Sequence, residues 1–291
     1  MKIADETVII GKRAMTRSYA KINLTLDVLG RMENGYHSIE TIMQTVGLFD
    51  LIITDAAERG IKVSTNLKYL PNNYKNIAYK AAELFFSESG IKGGAKILIH
   101  KNIPVAAGLA GGSGNAAAVL ISLNLLYRKP FSDNELLKLG ARLGADVPFC
   151  MECGTKICRG IGDEMEDVAP MKHTHVLIVK PPVNISTAEI YEKIDSISLS
   201  EHPKSSELAA VLNDGSFRPE LMFNVMGDVS EKMHPVIGGI RKKMMMNGAC
   251  AAMMSGSGSA VFGIFDDYKK AKKSADSFSY FYKEVYLTMT N

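Results

Sequence analysis

Residues 104–118 read Pro104-Val-Ala-Ala-Gly-Leu-Ala-Gly-Gly-Ser-Gly-Asn-Ala-Ala-Ala118, a glycine-rich stretch that runs directly into an alanine-rich helix. No other segment constrains the chain as strongly, because this junction is how proteins cradle a phosphate at a helix N-terminus. Gly108, Gly111, Gly112 and Gly114 are expected at positive φ, where backbone amides approach an anion that a Cβ would hold away. Beyond Ala116 the apolar residues Val119, Leu120, Leu123 and Leu126 recur at helical spacing. The helix is therefore predicted to start where the glycines end, with its positive dipole end toward the loop and Ser113 or Asn115 as its cap. No Gly-Lys-Ser/Thr closes the segment, and no G-x-G-x-x-G follows a strand of a βαβ unit, which weighs against two common nucleotide folds. Tight helix packing remains the alternative use of these glycines.

With 291 residues and a net charge of +3, the chain is long enough for one large domain or two ordinary ones, two being the preferred reading, with a substantial buried core either way. The basic clusters Arg241-Lys242-Lys243 and Lys269, Lys270, Lys272 and Lys273 lack interleaved aromatics, so they read as solvated helix faces rather than nucleic-acid contacts. No apolar run approaches a membrane span and the N-terminus lacks a signal-peptide core, so a cytoplasmic protein with no membrane partner is expected. Cys150 and Cys153 form a C-x-x-C pair with no second pair at zinc-ribbon spacing, which makes reduced structural thiols the expectation.

Along the chain, residues 1–14 are expected to be an extension, a short added strand, or the result of a start upstream of Met15. Alternation from Ala20 to Val28 predicts a half-buried strand whose polar face carries Lys21 and Asn23. Asn34-Gly35 signals a hairpin turn with Tyr36 and His37 at its exit, and a return strand runs from Ile39 to Val46. A helix is predicted over 76–87, a strand over 95–100, and a second helix from the capping pair Ser132 and Glu135 to a stop at Gly144. Asp146 then stands on a connection where Pro148 biases Val147 away from helix. After Gly162 come a strand over 176–180, a helix started by Ser186 and Glu189, the turn Met254-Ser-Gly-Ser-Gly-Ser259, a helix over 267–280 and a strand over 284–289. Mixed elements without strict βαβ repetition indicate an α+β fold.

Taken in order, Ala20-Lys21-Ile22-Asn23-Leu24, the glycine loop and Met254–Ser259 resemble the GHMP superfamily of small-molecule kinases. Gly35-Tyr36-His37 and Gly144-Ala-Asp-Val-Pro148 resemble the branch of it that acts on CDP-linked methylerythritol. The resemblance runs from about Arg17 to Phe265. It implies an N-terminal domain over 1–163, similar to the second domain of ribosomal protein S5, and a ferredoxin-like α/β-plait domain over 164–291, with a cleft between them. The implied reaction is transfer of the γ-phosphoryl of ATP to the 2-hydroxyl of the acceptor, with Mg²⁺ accompanying ATP. The resemblance assigns catalysis to Lys21 and Asp146. On the ATP side it assigns Asn76 near adenine, and Pro104, Val105, Ala106, Ala107, Gly108, Leu109, Ala110, Gly111, Gly112, Ser113 and Gly114 around the phosphates. On the acceptor side it assigns Tyr36 and Tyr191 as a sandwich for cytosine, His37 to the base edge, Thr187 to the cytidine part and Asn23 to the acceptor.

The implied assembly is a monomer or weak homodimer. Three departures stand out from the family pattern: Gly114 replaces a frequent serine, Ala106, Ala107 and Ala110 replace glycines of some relatives, and Asn224-Val-Met-Gly227 lacks a frequent acidic residue. A mevalonate, homoserine or sugar kinase, or a non-catalytic nucleotide-binding relative, are the other readings. Tyr36, His37 and Tyr191 count against the former, and Lys21 with Asp146 against the latter.

Overall fold

The computed structural model describes residues 2–33, 35–171 and 173–291. The chain divides into two compact units, the first holding Met1–Ala20, Phe49–Val105 and Ala110–Cys153, the second Lys21–Leu48, Ala106–Leu109 and Gly154–Asn291.

In the first unit, helix α1 (Lys2–Asp5) leads to β1 (Val8–Ile10), which pairs antiparallel with the start of β2 (Arg13–Arg31). Residues Val8–Ile10 thus form an added edge strand. Beyond Leu48, β3 (His37–Ala57) pairs antiparallel with β5 (Gly94–His100), and β5 lies parallel to β4 (Gly60–Thr65). Helices α2 (Ile77–Ser89), α3 (Gly111–Leu126), α4 (Asp133–Leu143) and α5 (Asp146–Glu152) pack in this unit together with α1. Helix α3 is buried almost all round, which explains its near-continuous alanine and leucine. Helix α4 has the predicted capping box of Ser132 and Glu135 and ends at Gly144.

In the second unit the early part of β3 pairs with β6 (Thr155–Arg159), and β6 with β7 (Glu164–Asp167). The rest of this unit comprises β8 (His175–Lys180), α6 (Thr187–Asp195), α7 (Ser205–Asn213), β9 (Phe223–Asn224), α8 (Val225–Met233), α9 (Pro235–Met246), β10 (Ala251–Met254), β11 (Val261–Phe265), α10 (Tyr268–Ser279) and β12 (Glu284–Met289). Strands β10, β11, β8 and β12, in that order, form an antiparallel four-stranded sheet. Leu177, Val179 and Phe265 of the sheet pack with Ile190, Val229, Ile237, Ile240 and Phe278 of the helices, the layering of an α/β plait.

The alternating segment departs from its expected half-burial, since every residue from Ala20 to Val28 is buried. The polar face is enclosed because each side chain on it finds a partner. Lys21 Nζ donates to Asn23 Oδ1, Asn23 Nδ2 to Thr41 Oγ1, Thr25 Oγ1 pairs with Ser205 Oγ, and the Asp27 carboxylate pairs with His202 Nδ1. Of the hairpin-turn signal, Asn34 lies outside the described residues; Gly35 sits at φ +85° and Gly35 N donates to Met32 O.

Cys150, Cys153 and Cys158 are buried thiols and Cys250 is an exposed one. In the second basic cluster, Lys270 pairs with Asp266 and Lys272 with Asp276, both on exposed faces. No helix among the described residues is long and apolar enough to cross a membrane.

Candidate active site

The glycine loop departs from its expected geometry in an instructive way. Positive φ falls on Ala106 (+52°), Gly108 (+74°) and Ala110 (+55°), whereas Gly111, Gly112 and Gly114 lie inside α3. The helix begins five residues earlier than the apolar spacing suggests, with Ala110 as its N-cap, so Ser113 and Asn115 belong to its first turns rather than capping it. Space explains two of the helical glycines. A Cβ on Gly111 would lie 2.8 Å from Lys101 Nζ, and one on Gly114 would lie 2.4 Å from Ser18 Oγ. The N-cap residue Ala110 makes no side-chain bond to the leading amides of α3, and such amides at a helix start suit an anion.

Behind the start of α3 lies a buried polar cluster that the sequence did not announce. Lys101 Nζ donates to Asp50 Oδ2 at 2.5 Å and to Ile103 O at 3.0 Å. Asp50 Oδ1 accepts from the amides of Asn102 and Ile103 at 2.7 and 2.8 Å. With its amide nitrogen turned toward them, Asn115 donates to Asp50 Oδ2 at 2.8 Å and Gly111 O at 3.0 Å. Burial pushes the Asp50 carboxyl up and the Lys101 ammonium down, each opposed by the other's charge. The cluster ties residues 101–103, which follow β5, to the first turn of α3.

In the second unit, Lys21, Asn23 and the turn at 255–258 come together around the loop residues Gly108 and Leu109. Lys21 N donates to Leu109 O at 3.2 Å, and Ser255 Oγ donates to Gly108 O at 3.0 Å. A Cβ on Gly108 would lie 2.0 Å from Ser255 O, and one on Gly256 would lie 3.4 Å from Lys21 Nζ. The turn is held from beneath by Asn224, whose Nδ2 donates to Met254 O and Gly256 O, both at 2.9 Å. Ser257 Oγ pairs with Thr187 Oγ1 at 2.7 Å, which brings Thr187 to this turn. Asn224 is the residue that stands at the departure noted in the sequence, yet its bracing role depends on contacts about thirty residues away.

His37 and Tyr191 also meet within the second unit. Their rings stack with centroids 4.2 Å apart and planes inclined by 11°, and His37 Nε2 lies 2.8 Å from Asp195 Oδ1. Tyr36 is 62% exposed, which leaves its ring at the surface of that unit.

Two expected residues belong to the first unit. Asn76 caps α2, its Oδ1 accepting from Ala78 N, while its Nδ2 donates to Pro71 O. Asp146 is the half-buried first residue of α5 rather than part of a helix-to-strand connection. Pro148 does not prevent this helix, because in the first turn its missing N–H has no intrahelical partner to lose.

Residues 76–154 match the family profile for the GHMP kinases N terminal domain, and residues 208–284 that for the GHMP kinases C terminal. The chain is 43% identical to the 4-diphosphocytidyl-2-C-methyl-D-erythritol kinase of Alkaliphilus metalliredigens, covering 96% of this chain and 97% of that protein. It is 44% identical to the protein of the same name from Clostridium kluyveri, over 95% and 99%. A crystal structure of 4-(cytidine 5'-diphospho)-2C-methyl-D-erythritol kinase superposes with a TM-score of 0.82 at 28% identity, covering 95% of this chain and 99% of that one.

Proposed function

The chain belongs to the GHMP kinase family, and from that premise we propose that it transfers the γ-phosphoryl group of ATP to the 2-hydroxyl of 4-diphosphocytidyl-2-C-methyl-D-erythritol. This is a step of the methylerythritol phosphate route to isopentenyl diphosphate. The observation that carries the reading is 43–44% identity, over nearly the whole chain, to proteins bearing that name. The two profile matches also support reading residues 1–163 and 164–291 as the N- and C-terminal domains.

Phosphoryl transfer is chiefly a matter of positioning and of stabilising negative charge. Lys21 suits the second task, since its ammonium is buried and held by Asn23 Oδ1 at 2.7 Å, so little rotamer freedom is left to lose when phosphate arrives. Asp146 accepts or orients the proton of the acceptor hydroxyl. The amides from Gly108 to Ser113 hold the phosphates, with Pro104, Val105, Ala106 and Ala107 shaping the approach and Asn76 near adenine. Thr187, Tyr36, His37 and Tyr191 take the cytidine part, and Asn23 the acceptor.

Mg²⁺ fits this donor set, because an ion that keeps several waters and takes phosphate oxygens needs few protein ligands. Ser113, half-buried in the first turn of α3, offers its hydroxyl, whereas Gly114 offers none. When bound, the ion neutralises charge on the nucleotide phosphates.

The deciding assay supplies purified protein with ATP, Mg²⁺ and the CDP-linked acceptor, and scores ADP beside homoserine, mevalonate and galactose. ADP release confined to the CDP-linked acceptor is expected. Equal turnover of an alcohol lacking a nucleotide overturns the substrate. Asp146→Asn and Lys21→Ala are each expected to lower kcat by roughly 10²–10⁴-fold while ATP still binds. Near-normal turnover in both removes their assigned roles.

A further inference from the structure

Tyr191 and Asp195 are four residues apart on α6 and therefore share one face of that helix. A ring that stacks on Tyr191 reaches Asp195 with its edge, and His37 does both: its plane is within 11° of the tyrosine ring and its Nε2 lies 2.8 Å from Asp195 Oδ1. The imidazole is withdrawn from water, with its side chain 9% exposed, while the carboxylate keeps 36%. Helix stability gives no reason for an acid here. Asp195 is the last residue of α6, where the macrodipole disfavours negative charge.

We propose that Asp195 is a positioning residue that determines which nucleobase this site accepts, by holding His37 in one tautomer. The inference rests on the reading above that the acceptor carries a cytidine diphosphate. An ionised carboxylate only accepts hydrogen bonds, so the proton of the neutral imidazole resides on Nε2 and Nδ1 is left as an acceptor. An acceptor at that edge matches the exocyclic amine of cytosine, which donates, and opposes the carbonyl oxygen that uracil carries at the same position. The stack adds a geometric condition. A base hydrogen-bonded in the plane of His37 lies in a layer parallel to Tyr191, so edge reading and stacking are satisfied by a single placement of the base.

The test compares CDP-linked and UDP-linked acceptors in wild type, Asp195→Asn and Asp195→Glu, with ¹⁵N NMR of the His37 ring as a readout independent of turnover. An asparagine amide can face Nε2 with either its oxygen or its nitrogen, so it no longer dictates the tautomer. Asp195→Asn is expected to show both ring nitrogens sharing the proton and to lose roughly tenfold of the preference for the CDP-linked acceptor, since a site that reads hydrogen bonds discriminates only while its partners are fixed. The loss falls on acceptor KM rather than kcat, and the KM for ATP is the control. Asp195→Glu restores part of the preference because it keeps the carboxylate. Unchanged preference in Asp195→Asn, or a wild-type ring protonated on Nδ1, overturns the inference while leaving the proposed activity intact. A wild type that turns over neither acceptor overturns the proposed activity and this inference with it.

Discussion

In the loop at 106–114 the left-handed positions are occupied by Ala106, Gly108 and Ala110, whereas in the turn at 255–258 they are occupied by Gly256 and Gly258. In the first segment Gly111 and Gly114 provide room inside a helix; in the second, glycine provides conformation. Gly108 does both, having positive φ and its Cα against the Ser255 carbonyl. The same residue type thus answers two physical demands, and only the local packing tells which.

The supports of the two segments differ as well. Behind the loop stands an ion pair, Lys101 with Asp50; beneath the turn stands a neutral amide, Asn224. Removing one partner of a buried pair strands a charge, so Lys101→Met is expected to destabilise by about 3–5 kcal/mol in urea unfolding. Asn224→Ala leaves two carbonyls short of a donor and is expected to lose about 1–3 kcal/mol. The double variant Asp50→Asn with Lys101→Met removes both charges, while its amide oxygen still accepts from Asn102 and Ile103. It is expected to recover part of the single-variant loss. If the double variant is no more stable than Lys101→Met alone, charge is not what distinguishes the two supports.

Gly114→Ser tests the use of glycine for space. Its Cβ would stand 2.4 Å from Ser18 Oγ, and overpacking of this kind destabilises by about 1–3 kcal/mol. Adding Ser18→Ala is expected to return most of that stability. In the rescued protein the new hydroxyl is expected to tighten the Mg²⁺ and ATP dependence of turnover; an unchanged dependence shows that the absent serine does not matter to nucleotide binding.

Features determined by neighbours in sequence were legible in advance. The Ser132 and Glu135 capping box, the Gly144 stop, the Ser186 cap of α6 and the strand over 284–289 all stand where their local signals put them. What escaped was set by distant partners. Alternation at Lys21 and Asn23 looked like a solvated face because Thr41 and Ser205, which help to enclose that face, are not adjacent in sequence. Asp50, Lys101 and Asn115 carry no spacing that marks them as one cluster, and Asp195 gains meaning only when His37 stacks on Tyr191. The early start of α3 has a different reason: low helix propensity marks Gly111, Gly112 and Gly114 as loop, and packing overrides it.

The smallest expected effects bear most directly on the contrast between the two segments, because they reverse in sign. Ala106 is exposed at φ +52°, so Ala106→Gly removes little packing and relieves a conformation that is unfavourable for L-residues by about 1–2 kcal/mol. The added freedom of the unfolded chain offsets about 0.4–1 kcal/mol of this. A net stabilisation of about 0.5–1 kcal/mol is the expected result. Gly256→Ala runs the other way, since it places an L-residue at φ +56° with its Cβ 3.3 Å from Gly108 O, and a loss of more than ~1 kcal/mol is expected. Both positions belong to the second unit, so the pair is compared by hydrogen exchange of the same core amides in β8 and β11. Opposite signs uphold the distinction between a turn that needs glycine for φ and a loop that tolerates alanine there. Two losses would show that Ala106 contributes packing or preorganisation that outweighs its backbone strain.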